Sequence, residues 1–133
     1  NCIRIEGVKA LSSAFSGSRL TSLNLWDNQI NDEAVEVLAS ALPDSKITIL
    51  DLGENHISSQ GAKLLAGVLS DSKLAEAHLQ FNQICTEGAK AFVSALGNSR
   101  LTSLDLRWNR IQTEGKRALQ RAKSKFKLTN IYC

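Results

Sequence analysis

Long apolar runs are missing from this chain of 133 residues, and nowhere does one approach the ~20 residues that cross a bilayer. The N-terminus also lacks the basic-then-apolar pattern of a secretion signal. There is no Cys-x-x-Cys pair and no Asn-x-Ser/Thr acceptor, and the three cysteines, Cys2, Cys85 and Cys133, stand far apart. Both absences favour a reducing compartment over secretion, so an intracellular, cytoplasmic location is expected. Charge of one sign is scarce as well. Sixteen Lys and Arg against thirteen Asp and Glu leave +3, too small a surplus to imply nucleic acid or an anionic membrane by itself.

The usual chemical motifs are absent too. No Ser-His-Asp arrangement, phosphate-cradling Gly-rich loop or cluster of Cys and His occurs. Cys85 sits near the start of an expected helix, where its thiol pKa would fall, but no base accompanies it. It reads as an ordinary loop thiol. No enzyme activity, cofactor or metal site is expected. What remains is 43% apolar and 22% charged residues, ordinary for one globular domain spanning 1–133.

That domain is built by repetition. LTSLNLWDNQI at 20–30, ITILDLGENHI at 47–57, LAEAHLQFNQI at 74–84 and LTSLDLRWNRI at 101–111 align without gaps, 27 residues apart. Asn1-Cys2-Ile3 falls one step earlier and LTNIYC at 128–133 one step later, making about five units. Within each unit the apolar period changes. Leu20, Leu23 and Leu25 alternate as in a strand, whereas Ala34, Leu38, Ala41 and Leu42 mark one helix face. Asp32, Ser59, Thr86 and Thr113 fall where N-caps are expected, followed by Glu33, Glu87 and Glu114 in the first turn. One strand and one helix cannot bury their apolar faces alone, but stacked units can. Helices are wider than strands, about 10 Å against 4.8 Å, so the stack must curve with its strands inside. The expected fold is an α/β, right-handed solenoid: a horseshoe arc with a parallel sheet on the concave face and helices on the convex face.

LxxLxLxxNxI followed by a helical half with Gly and Leu-xx-Ala-Leu resembles a leucine-rich repeat, and the unit length resembles the ribonuclease-inhibitor-like class. That class includes the C-terminal repeats of nucleotide-binding leucine-rich-repeat receptors and the repeat domain of the Ran GTPase activator. The resemblance covers essentially the whole chain and implies a protein-binding module. Two departures stand out. Ala77 replaces the Leu of the other strands, an expected local underpacking, and the first unit starts at its Asn with no strand before it. The chain is therefore read as a fragment or the C-terminal part of a longer array, with self-association expected through its open N-terminal end. Lys116 and Lys123 replace apolar helix positions in the last unit, which reads as a polar cap.

Four columns are candidates for function or scaffold. Asn28, Asn55, Asn82 and Asn109, with Asn1, are expected to satisfy turn backbone as a structural ladder. Arg19, Lys46, Lys73, Arg100 and Lys127 form a basic column expected to complement helix C-termini, its alternative being anion or nucleic-acid binding. The partner-binding candidates project from the strands and their exits: Trp26, Asp27, Asp51, Glu54, Glu76, His78, Phe81, Asp105, Arg107, Trp108 and Tyr132. Five acids against Arg107 give this surface −4, which leaves +7 on the rest of a chain whose total is +3. Only 5% of the residues are aromatic, yet both Trp fall here with Phe81 and Tyr132, the composition of a protein-binding hot spot. The expected function is non-catalytic binding of a basic protein on this face. The alternative is a regulatory domain such as a GTPase activator. Asp51, His78 and Asp105 share a row on adjacent strands; cross-strand pairing is expected there, with a pH-sensitive grip as the alternative.

Overall fold

A computed structural model of the chain describes residues 3–126 and 128–133. Asn1, Cys2 and Lys127, named above, lie outside the described residues. Five helices alternate with five strands: α1 Ile5–Ser13, β1 Ser22–Asn24, α2 Asp32–Ala41, β2 Ile49–Asp51, α3 Ser59–Gly67, β3 Glu76–His78, α4 Thr86–Ala95, β4 Ser103–Asp105, α5 Thr113–Phe126 and β5 Asn130–Tyr132. The strands form one parallel sheet in sequence order, and every pair is in the register of the repeat, so Leu23, Leu50, Ala77, Leu104 and Ile131 lie side by side. Identical spacing brings identical backbone groups together, as in Leu25 N–H donating to Asp51 C=O at 2.8 Å and Leu52 N–H to His78 C=O at 2.8 Å. Layers and period agree with the sequence.

The core is a single column running through the stack. Leu23, Leu25, Ile30, Leu38 and their equivalents one, two and three steps of 27 later are all buried, with Phe92 among the largest side chains fully enclosed. Phe92 modifies the reading of Ala77. In the first, second and fourth units the strand and helix positions are both Leu, but the third pairs small Ala77 with large Phe92. Both are buried in the same cluster. A volume-conserving exchange keeps a core dense where a lone truncation would leave a hole.

The helix starts lie one residue before the expected column. Asn31 caps α2, its side chain accepting from Ala34 N–H at 3.1 Å, and Ser58 caps α3; Cys85 precedes α4 without a side-chain cap bond. Asp32, Ser59, Thr86 and Thr113 are instead the first helical residues. Three of them reach sideways to the next unit. Asp32 accepts from Ser58 N–H at 2.8 Å, Ser59 from Cys85 N–H at 2.9 Å and Thr86 from Gln112 N–H at 3.1 Å. The oxygen expected to close its own helix thus ties neighbouring units together.

A second ladder, at the helix-to-strand turn, is Ser18, Ser45, Ser72 and Ser99. Each hydroxyl accepts from the N–H two residues on, and the last three also donate to a helix-end carbonyl. Its unbroken recurrence in the sequence was the available signal. The basic column departs from its expected role: no basic residue occupies the last turn of α1 to α4, and Lys73 instead donates to the loop carbonyl of Ser45 at 3.1 Å. Those cations follow the helices by several residues, outside the last turn in which a cation complements the dipole best. On α5, Lys116 and Lys123 are exposed while Gly115, Leu119 and Ala122 face inward.

Candidate functional site

The Asn column is built into the scaffold. The side-chain carbonyl of Asn55 accepts from Asn28 N–H and Ile30 N–H, and its amide donates to the carbonyls of Leu25, Leu52 and Gly53. Asn82 and Asn109 repeat the pattern one and two units on. Asn28 accepts from Ile3 N–H, so the first unit enters the ladder as well. These bonds pair backbone that turns away from the sheet and would otherwise be buried unsatisfied.

The ladder also forces the strand exit through a left-handed turn. Asp27, Glu54, Phe81 and Trp108 occupy the same turn position with φ of 51°, 51°, 57° and 58°. The short side chain of Asp tolerates that backbone better than Glu or a bulky aromatic, for which it costs about 1 kcal/mol or more. Two of four units nonetheless carry an aromatic there, turned to the outside: Phe81 is 47% exposed and Trp108 72%. Their rings stack at 5.6 Å with an interplanar angle of 8°, and Trp26 meets Phe81 edge-on at 6.0 Å.

Trp26 reaches that position because the next strand exit carries Gly53. A Cβ there would lie 2.3 Å from the indole, so the ring lies over bare backbone. Its N–H donates to Glu54 at 3.0 Å, which brings a carboxylate to the aromatic edge. Beside it, Gln80 Oε1 is buried with no hydrogen-bond partner among the described residues. Asp27, Glu54, His56, Phe81 and Trp108 line an open groove of about 480 Å³. His56, expected to be a plain polar turn residue, is part of it. It follows the Asn column directly, and no sequence signal marked it.

The rest of the face sorts into separate small groups. Asp105, expected to project toward a partner, is only 3% exposed. Its carboxylate accepts from Arg107 N–H at 3.0 Å and takes the guanidinium in a two-pronged pair, with Nη2 at 2.6 Å. The side chain of Arg107 folds back over the carboxylate and its own strand exit, and the guanidinium, held by Asp105, has its pKa pushed up. It also lies 4.9 Å from the Tyr132 ring centroid, a cation–π contact. Asp105 and Arg107 cancel, so Asp27, Asp51, Glu54 and Glu76 keep the face at −4.

His78 is in register with Asp51 and Asp105, yet its Nε2 lies 3.5 Å from the carboxylate of Glu76 on its own strand. Asp51 and Asp105 are turned along their own strands, each accepting from the N–H two residues on. The cross-strand row expected from the sequence is not formed, because the backbone N–H groups of the strand exits already hold both Asp carboxylates. At the N-terminus of α4 the Cys85 thiol donates to Glu87 at 2.7 Å and holds that carboxyl below its usual range. No helix among the described residues is long and apolar enough to cross a membrane.

A family model described as "Leucine Rich repeat" matches residues 19–39, 44–66 and 97–119, together half of the chain. No curated protein sequence matches it. Among solved structures, leiomodin-1 actin-binding site 2 is similar with a TM-score of 0.78 at 19% identity, over 93% of this chain and 72% of that chain. An internalin from Listeria monocytogenes str. 4b F2365 reaches a TM-score of 0.47 at 25% identity, over 86% of this chain and 35% of that one.

Proposed function

The chain belongs to the leucine-rich repeat family, and from that premise we propose that it is a non-catalytic module holding a basic protein segment against its strand-exit face. One observation carries the proposal: three of the chain's few aromatics, half-buried Trp26 with exposed Phe81 and Trp108, form one cluster beside Glu54, the latter two in a backbone conformation unfavourable to them. Strain kept at an exposed cluster is typical of sites retained for contact. The four acids Asp27, Asp51, Glu54 and Glu76 favour a cationic partner, whose Lys or Arg can both pair with carboxylates and lie on aromatic faces. Tyr132 and Arg107 extend the surface toward β5.

The similar leiomodin-1 structure is an actin-binding site. At 19% identity it supports the fold and not a shared partner. Helices α1 to α4, each nine or ten residues long, support placement in the ribonuclease-inhibitor-like class. Cys85 and Cys133 are free thiols, which supports a reducing, intracellular setting.

The test is retention of proteins from a lysate by the wild-type domain beside a Phe81→Asn, Trp108→Asn variant confirmed as folded. Asn suits the left-handed turn, so the backbone is preserved while the rings are removed. Proteins held by wild type, lost with the variant and recovered poorly when Glu54→Lys is tested support this face. Equal retention by both baits overturns it.

A further inference from the structure

A second surface lies on the opposite side of the solenoid, and its charge is opposite. The helix α5 carries Lys116, Arg117, Arg121, Lys123 and Lys125, all exposed, against one acid, Glu114, which Lys90 of α4 neutralises at 2.7 Å. A solvent-facing helix surface requires polar residues, but not residues of one sign. Arg117, Arg121 and Lys125 are spaced four apart on one helix face, where like charges repel by about 0.2–0.5 kcal/mol per pair. Proximity to the negative helix end compensates Lys123 and Lys125 but not Arg117. No ion pair relieves the three in the described residues.

This stripe borders a trough between α4 and α5. One stretch of about 410 Å³ is lined by Val93, Ala118, Ala122 and Phe126 with Arg121 and Lys125 at its edge. It continues past Ala118 and Arg121 toward Arg117 and Lys90. We propose that the trough docks an acidic amphipathic helix from a partner protein. Its carboxylates, spaced four apart, repeat at the ~6 Å interval of the cations, and its apolar residue enters among Val93, Ala118 and Phe126. The floor is mostly aliphatic, and its one ring, Phe126, is half-buried with Lys125 over it at 5.0 Å, which favours a peptide over stacked bases. This surface is independent of the aromatic face.

The probe is a synthetic Ala-based helical peptide of about 15 residues carrying one Leu flanked by Glu at four-residue spacing. Its controls are the same peptide with Leu replaced by Ser, an oligo-dT strand, and vesicles containing phosphatidylserine. Binding is followed by amide chemical shifts. The expected result is shifts confined to the amides of Val93, Ala118, Ala122 and their neighbours. Affinity should fall at least about tenfold with Arg121→Glu plus Lys125→Glu, less with the Gln pair, and hold with Phe81→Asn plus Trp108→Asn. The proposal is overturned if the trough amides do not shift, or if the Ser control binds equally well. Tighter binding of oligo-dT or vesicles through the same cations also overturns it, in favour of a phosphate surface.

Discussion

Asn82 provides the sharpest test of how the turns are held. Its side-chain carbonyl accepts from Ile57 N–H at 2.9 Å, and its amide donates to Leu52 C=O at 2.9 Å and Leu79 C=O at 3.2 Å. Those two carbonyls also accept from Asn55 and Asn109 respectively, so they are not orphaned when Asn82 is removed. Ile57 N–H has no such second partner and lies in a fully buried residue. Asn82→Ala therefore leaves one buried donor unpaired, about 1–3 kcal/mol, and loses two further bonds at about 1 kcal/mol each. A total of about 3–5 kcal/mol is expected, a large share of the roughly 5–15 kcal/mol that holds a domain together. Asn82→Asp tests the same geometry by its sign. The carboxylate keeps the Ile57 bond but turns a negative oxygen toward the Leu52 and Leu79 carbonyls, so the neutral acid is favoured and its folded pKa rises. A group with a raised folded pKa stabilises below its unfolded pKa and loses that contribution as pH climbs through the folded value. The loss in Asn82→Asp should thus be least near about pH 4 and grow by about 1.4 kcal/mol for each unit of elevation, whereas that of Asn82→Ala should not track pH. Urea unfolding followed by far-UV circular dichroism, at acidic and alkaline pH, measures both. An Asn82→Ala cost below about 1 kcal/mol, or an Asn82→Asp penalty flat with pH, would refute the reasoning.

The third unit's exchange of volume predicts coupling. Ala77→Leu alone should overpack and cost about 1–3 kcal/mol, Phe92→Leu alone should also destabilise, and the double variant should recover much of both losses; additive losses would mean the two sites are independent. Gly53→Ala should displace Trp26 from the sheet, visible as a change in indole fluorescence and loss of the downfield indole N–H shift, with little effect on global unfolding. An unmoved Trp26 signal would contradict the contact. Cys85→Ala removes the main cause of the lowered Glu87 pKa, so the carboxyl's NMR titration midpoint should move up toward the usual range. Below the ordinary carboxylate pKa the stabilisation attached to that lowered value fades as pH falls, and an unchanged midpoint in the variant would discard the thiol as its cause.

Much of this architecture was legible in one dimension. A residue in a stacked repeat meets its own equivalent at each step of 27, so the Leu, Asn and Ser columns carry the same neighbours in every unit, and recurrence alone reveals their role. The switch from strand to helix period, the parallel sheet, the buried ladder and the polar outer face of α5 follow from that. The aromatic and acidic bias of the strand exits was equally visible, since those positions are excluded from the core columns.

Three-dimensional contact decided the departures from the columns. Whether Asp32 caps its own helix or ties the next unit depends on a shift of one residue at the helix start. Asp105 is withdrawn from the face because Arg107 folds back upon it, and His78 finds Glu76 rather than the row across the strands. Trp26 can lie flat only because the adjacent exit is Gly53, and Ala77 is accommodated in a unit that also holds Phe92. Periodicity determined which layer each residue occupies. Side-chain direction and volume, which are set by the particular residue on the neighbouring turn, determined what it touches there.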